Sequence, residues 1–197
     1  MSWLPIELYK YGMIRFGRFK LTSGIDSPYY IDLRRLYSYP KLAKRVALEI
    51  IERFNVVREV DAIVGVATAG IPLATYIAAL SEKPLAYIRS ERKAHGMESL
   101  VEGDVAGRKT AIVDDVATTG GSIERAWNAL TSAGSKPIAA IVIVDREQGA
   151  RERLSRLGLK FFSLTTAREI FSELCKAGII DESLLRELIE YMEKARP

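Results

Sequence analysis

The sequence predicts a doubly wound α/β fold: a mostly parallel sheet flanked by helices, with a small hood at the N-terminus. Three observations carry this. Apolar runs of strand length alternate with helical patterns along most of the chain, the rhythm of βαβ units. The inner runs are apolar on both faces, as strands covered by helices on both sides are. The 197 residues, 48% hydrophobic and 27% charged, suffice for one domain with a real core.

Taken in order, residues 1–38 read as a short helix and two extended pieces, Phe19–Leu21 and Tyr29–Leu33, joined by Thr-Ser-Gly-Ile-Asp-Ser-Pro. This segment is expected to form a hood over one edge of the sheet, and residues 39–197 the α/β core. Tyr39–Phe54 places Leu42, Val46, Ile50 and Phe54 at four-residue spacing, an amphipathic helix. Strands are expected over Ala62–Val66, Leu85–Arg89, Thr110–Asp114, Ile138–Asp145 and Lys160–Leu164. Helices follow over Ile71–Leu80, Gly121–Ala133 and Ala167–Lys176, with a last one over Glu182–Ala195. Ala62–Leu80 carries no charge over 19 residues, a length that can cross a membrane. Its Ala-Thr-Ala-Gly break and the early Pro72 instead read as buried strand, small-residue turn and helix. Residues 90–108 are too polar and Gly-punctuated for core and predict a long mobile loop of functional use.

Composition narrows the chemistry. The lone Cys175 excludes an internal disulfide, and with the lone His95 it excludes His/Cys-rich zinc sites. A carboxylate-held Mg²⁺ site stays open. The net charge of +4 suits an anionic partner, whether nucleic acid, membrane surface or a polyphosphorylated small molecule. Met1–Lys20 lacks an apolar run fit for a signal peptide, so a cytoplasmic protein is expected, without membrane or nucleic-acid association.

In a parallel sheet, ligands sit beyond the carboxyl ends of the strands. The densest chemistry there is Ala111-Ile-Val-Asp-Asp-Val-Ala-Thr-Thr-Gly-Gly-Ser122. An apolar strand ends in Asp114 and Asp115, which point to opposite faces and so take different tasks. Thr118, Thr119, Gly120, Gly121 and Ser122 then place hydroxyls and unhindered N–H groups at a helix start, a cradle for phosphate. Two acids beside such a cradle suit a sugar phosphate, whose ribose hydroxyls the acids accept. The Gly65-Val-Ala-Thr-Ala-Gly-Ile-Pro72 turn leaves bare backbone at Thr68, Ala69 and Gly70 for a second anion, and equally suits a purely structural tight turn. Arg89, Arg92, Lys93 and His95 gather cationic and hydrogen-bonding groups in the polar loop, able to neutralise a departing polyphosphate. Arg146, after the strand ending at Asp145, offers a bidentate fork for a carboxylate, or a surface salt bridge to Glu147 or Glu152. Tyr29 and Tyr30 suit either the cover of a flat ring or packing on the sheet edge.

The Asp-Asp-Val-Ala-Thr-Thr-Gly-Gly-Ser run resembles the phosphoribosyl-pyrophosphate motif of type I phosphoribosyltransferases. Arg89-Ser-Glu-Arg-Lys-Ala-His-Gly96 resembles the mobile catalytic loop of the orotate phosphoribosyltransferases, and Phe19-Lys-Leu-Thr-Ser-Gly-Ile-Asp-Ser-Pro-Tyr-Tyr-Ile-Asp32 their N-terminal hood. The resemblance runs from about residue 10 to 150. It implies transfer of a phosphoribosyl group from phosphoribosyl pyrophosphate to orotate with Mg²⁺, in a homodimer whose loop closes over the neighbouring subunit's site. Lys93, His95 and Asp115 are the implied catalytic residues. Phosphoribosyl pyrophosphate is expected to meet Arg89, Lys93, His95, Asp114, Asp115, Val116, Ala117, Thr118, Thr119, Gly120, Gly121 and Ser122. Thr68, Ala69, Gly70 and Lys20 complete that set. Orotate is expected to meet Thr118, Arg146 and Tyr30. Where the family often has Lys, this chain has Ser90, Ala69 and Thr22, and Arg92 and Lys20 stand nearby as substitutes. Two alternatives are a phosphoribosyltransferase for another base and a nucleotide-sensing regulator of the same fold.

Overall fold

The structure, a computed structural model, describes residues 3–20, 26–90 and 100–195. The chain opens with α1 (Trp3–Lys10), β1 (Ile14–Lys20) and β2 (Asp26–Ile31), a 3-10 turn over Leu33–Ser38, then α2 (Pro40–Arg53) and the short α3 (Val56–Glu59). There follow β3 (Ala62–Val66), α4 (Gly70–Ser81), β4 (Leu85–Ile88), β5 (Val101–Glu102), β6 (Lys109–Val113), β7 (Val116–Ala117) and α5 (Gly121–Ser132). The chain continues through β8 (Lys136–Asp145), α6 (Ala150–Arg156), β9 (Lys160–Thr166), α7 (Ala167–Lys176) and α8 (Glu182–Lys194).

Among the described residues, seven strands form one sheet in the order β5-β4-β3-β6-β8, with β7 and β9 each paired to β8. Every pair is parallel except β4–β5. The strand period sorts the core into two layers. Ala111 and Val113 of β6 enter one cluster with side chains of α2, α4, α7 and α8, while Ile112 enters the other with those of α5 and α6. The uncharged stretch is strand and helix, β3 and α4, and no helix among the described residues is long and apolar enough to cross a membrane. Helix starts follow local chemistry: Pro40 opens α2, and Thr166 and Glu169 close a capping box at α7.

The structure sharpens several expectations. The two extended pieces of the hood pair as a hairpin: β1 runs antiparallel to β2 from Ile14↔Ile31 to Lys20↔Asp26. Leu33 leaves the strand because the Asp32 carboxylate caps the 3-10 turn, accepting from Arg34 N–H at 3.2 Å. The seat of the hood is made by helices as well as by the strand ends. The hood packs through α1 on α7 and β2 on α8, and Leu4, Leu8, Met13, Ile14 and Tyr29 join the α2/α7 core cluster. The end of the segment 90–108 is structured: β5 pairs with β4, and Val105 is buried in the cluster that also holds side chains of α5. Helix α6 is additional; its seven residues bury only Ala150 and Leu154, too few to make an apolar stripe.

Candidate active site

Four segments converge at the carboxyl edge of the sheet. The first follows β6. The Asp114 N–H donates to Ile141 O at 3.1 Å, and Asp115 O accepts from Ile143 N–H at 3.0 Å, so both acids stay riveted to β8. Their side chains are tied inside the same segment. Asp114 Oδ1 accepts from Asp115 N–H at 3.0 Å, Asp114 Oδ2 from the Ser122 hydroxyl at 3.0 Å, and Asp115 Oδ1 from Val116 N–H at 2.8 Å. Asp114 is 7% exposed. Burial pushes both carboxyls above the ordinary carboxylate range, and the charge of Asp115 raises Asp114 further. Val116 and Ala117 form β7 in the sheet, and Ala117 O accepts from Arg146 N–H at 2.8 Å.

Gly120 then turns the chain with φ +78°, and a Cβ there would also lie 3.2 Å from Ala150 Cα at the start of α6. Helix α5 begins at Gly121 with no side-chain cap, leaving its first N–H groups and positive end for an anion. Thr118 is half-buried, and the exposed Thr119 lines a cleft of about 660 Å³ shared with Gln148, Gly149 and Arg153.

The second segment follows β3. Ala67 N–H donates to Ile88 O at 3.0 Å, the Ala67–Thr68 peptide is cis, and the chain enters α4 at Gly70. A Cβ on Gly70 would press into the Val113 carbonyl oxygen and lie 3.0 Å from Asp114 Cα. The two turns are therefore in backbone contact, and only glycine permits it. The Tyr37 hydroxyl, from the 3-10 turn, donates to Ala69 O at 2.8 Å.

The third segment is the end of β8. Arg146 pairs with neither Glu147 nor Glu152 among the described residues. Instead its Nε donates to the Tyr29 hydroxyl at 3.3 Å and its guanidinium lies 4.8 Å from the Tyr29 ring centre. Its Nη2 is buried without a hydrogen-bond partner among the described residues. A buried, unsatisfied guanidinium nitrogen is a strong attractor for a carboxylate.

The fourth is the hood. Tyr29 is 0% exposed and packs edge-on against Phe171 and Tyr191, which removes it as a ring cover; it is the wall that holds Arg146. Tyr30 is half-buried, lies 5.6 Å from the Phe19 ring, and accepts from Arg34 Nη2 at 3.3 Å. Arg34 in turn grips Asp32 through Nε at 2.7 Å and Nη2 at 2.8 Å.

Of the other expected residues, Arg89 and Lys20 are described. Arg89 follows β4 and pairs with Glu102 of β5 at 3.2 Å. Lys20 is exposed at the end of β1, opposite Asp26. Thr22, Arg92, Lys93 and His95 lie outside the described residues. Sequence reasoning missed Tyr37, the Arg34–Asp32 pair and the part played by Tyr29. Tyr29 and Asp32 fall within the hood motif, while Arg34 and Tyr37 lie just beyond its end, where no motif marks them.

A phosphoribosyl transferase domain matches residues 34–157. The chain is 42% identical over 182 residues to the orotate phosphoribosyltransferase of Sulfurisphaera tokodaii, covering 92% of this chain and 93% of that protein. It is 44% identical over 196 residues to that of Staphylothermus marinus, covering 98% and 95%. Among solved structures, the orotate phosphoribosyltransferase of Aeropyrum pernix superposes with a TM-score of 0.73 at 38% identity, covering 87% of this chain and 98% of that one. Leishmania donovani UMP synthase superposes with a TM-score of 0.85 at 32% identity over 97% of this chain, which spans 42% of that longer protein. With its two acids, its uncapped helix start and these relatives along nearly its whole length, the chain belongs to the orotate phosphoribosyltransferase family.

Proposed function

We propose that this chain transfers a phosphoribosyl group from phosphoribosyl pyrophosphate to orotate, giving orotidine 5′-monophosphate and pyrophosphate, with the residues above in defined roles. The observation that carries the reading is the buried, unpartnered Nη2 of Arg146 at the same sheet edge as the acid pair and the uncapped helix. Orotate is a pyrimidine with a carboxylate, and the carboxylate gives that nitrogen a charge-assisted bond that a pyrimidine with only carbonyl oxygens lacks. The start of α5 takes the 5′-phosphate, Asp114 and Asp115 take the ribose hydroxyls, and the Thr68–Gly70 turn takes the pyrophosphate end. Tyr30 covers the ring. Glycosyl transfer of this kind develops positive charge on the ribose and negative charge on the leaving group, so the two acids favour the sugar cation while aligned donors hold the pyrophosphate. Lys93 and His95, implied by the family resemblance, belong to the leaving-group side of the proposal.

Magnesium fits this donor set as a companion of the substrate. Among the described residues no group of three acidic, histidine or cysteine side chains gathers to form a cage, and two neighbouring carboxylates suit an ion that keeps water and phosphate oxygens. Asp114 and Asp115 are the residues that would face it, and when bound it neutralises pyrophosphate charge. A homodimer and a cytoplasmic location complete the proposal.

The test is orotate absorbance, followed with phosphoribosyl pyrophosphate and Mg²⁺ present or omitted singly. Loss of orotate that requires both is the expected result. Binding of phosphoribosyl pyrophosphate by calorimetry with no loss of orotate would move the reading to another base or to a regulator.

A further inference from the structure

Tyr37 belongs to no motif, yet it sits where three parts of the site meet. Its hydroxyl donates to Ala69 O at 2.8 Å. Ala69 immediately precedes α4, so the phenol grips the last residue of the β3–α4 turn. The turn has little else to hold it. Ala67, Ala69 and Gly70 bring no polar side chain, Thr68 is exposed, and among the described residues the entry to the turn hangs on the bond from Ala67 N–H to Ile88 O. On its far side Gly70 rests against the Val113 carbonyl and Asp114, so any drift of the turn moves it relative to the acid pair. Burial first, and then the charges of Asp115 and Asp114, push the Tyr37 phenol far above its ordinary range. The hydroxyl therefore remains a donor at every working pH, and it lies within electrostatic reach of both acids.

We propose that Tyr37 is a positioning residue that holds the Thr68–Gly70 turn at a set distance from Asp114 and Asp115, so that both ends of phosphoribosyl pyrophosphate are bound in register. The inference rests on the reading of that turn as the pyrophosphate site. It makes the 3-10 turn of the hood a working part of the pyrophosphate end, separate from the neighbouring Tyr29–Arg146 arrangement on the orotate side.

Tyr37→Phe keeps the ring and removes only the hydroxyl. Loss of one part-buried hydrogen bond with its acceptor left behind predicts about a tenfold rise in KM for phosphoribosyl pyrophosphate. Calorimetry should show a matching loss in affinity for Mg²⁺-pyrophosphate, with KM for orotate and the melting temperature unchanged. An unchanged KM for phosphoribosyl pyrophosphate overturns the proposal. Equal shifts for both substrates with a lowered melting temperature also overturn it, because they mark a purely structural role. If the unaltered protein binds phosphoribosyl pyrophosphate but leaves orotate untouched, the orotate reading fails, and the calorimetric comparison of Tyr37→Phe with the parent still decides the role of Tyr37.

Discussion

The turn after β6 and the turn after β3 lie against each other at the carboxyl edge of the sheet, and beyond the backbone bonds that tie each to a neighbouring strand, their side-chain ties differ. The first is tied from within: Ser122 and the N–H groups of Asp115 and Val116 fasten the two carboxylates, every partner falling between Asp114 and Ser122. The second is tied from outside, by Ile88 O at its entry and by the Tyr37 hydroxyl at its exit. A self-tied turn keeps its shape wherever the strand and helix beside it form. An externally tied turn takes its position from a distant part of the chain, and so couples that part to the chemistry.

The contact between the two turns is the place to break them together. Gly70→Val drives a branched side chain into the Val113 carbonyl and Asp114. Overpacking of this kind costs about 1–3 kcal/mol, and a displacement of about 1 Å at a reacting centre costs about 10²-fold in rate. The expected result is a fall of about 10² in kcat/KM with a lowered melting temperature; near-normal turnover would show that the turns work independently.

Arg146 is a second group held from outside, through Tyr29. Arg146→Ala removes a charge-assisted contact worth about 1.5–3 kcal/mol, so kcat/KM for orotate should fall about 10- to 10²-fold while binding of phosphoribosyl pyrophosphate by calorimetry is retained. Equal damage to both ligands would place Arg146 in the scaffold instead.

Ser122→Ala loosens the self-tied turn. Asp114 keeps the Asp115 N–H, so KM for phosphoribosyl pyrophosphate should rise only about threefold, less than for Tyr37→Phe. The reverse ranking would mean that the internal ties matter more than the external one.

The smallest effect is on stability. Because burial raises the Asp114 carboxyl, the folded protein keeps a proton that the unfolded chain releases near its ordinary pKa of about 4. Between those two values the folded state binds more protons, so this group's contribution to stability declines as pH rises through the window. Asp114→Asn should flatten that decline and raise the melting temperature of the ligand-free protein by roughly 2–4 °C above the window for each kcal/mol recovered. A parallel pH profile in parent and variant would assign the slope to other groups.

Much of this was legible in the residues. The Asp114–Ser122 run predicts its own strand, acids, turn and helix start, and Ala62–Val66 emerges as β3 with the bounds its apolar pattern sets. Less was legible where few side chains carry the signal: α6 buries two residues. The hood read correctly as a unit with a helix and extended pieces, but its seat on α7 and α8 did not follow from its own pattern.

By itself the sequence determined the alternation of strands and helices, the two-layered core, and the phosphate turn with its paired acids. All of these depend on periodicity or on partners within a few residues, which neighbours in the chain encode directly. Only the tertiary structure decided that Tyr37 reaches Ala69 across 32 residues, that Arg146 rests on Tyr29 across 117, and that Gly70 meets Asp114. Those contacts exist because the sheet brings the ends of β3, β6 and β8 to one edge and the hood packs beside them. A pattern of residue types does not encode such distances until the chain has closed.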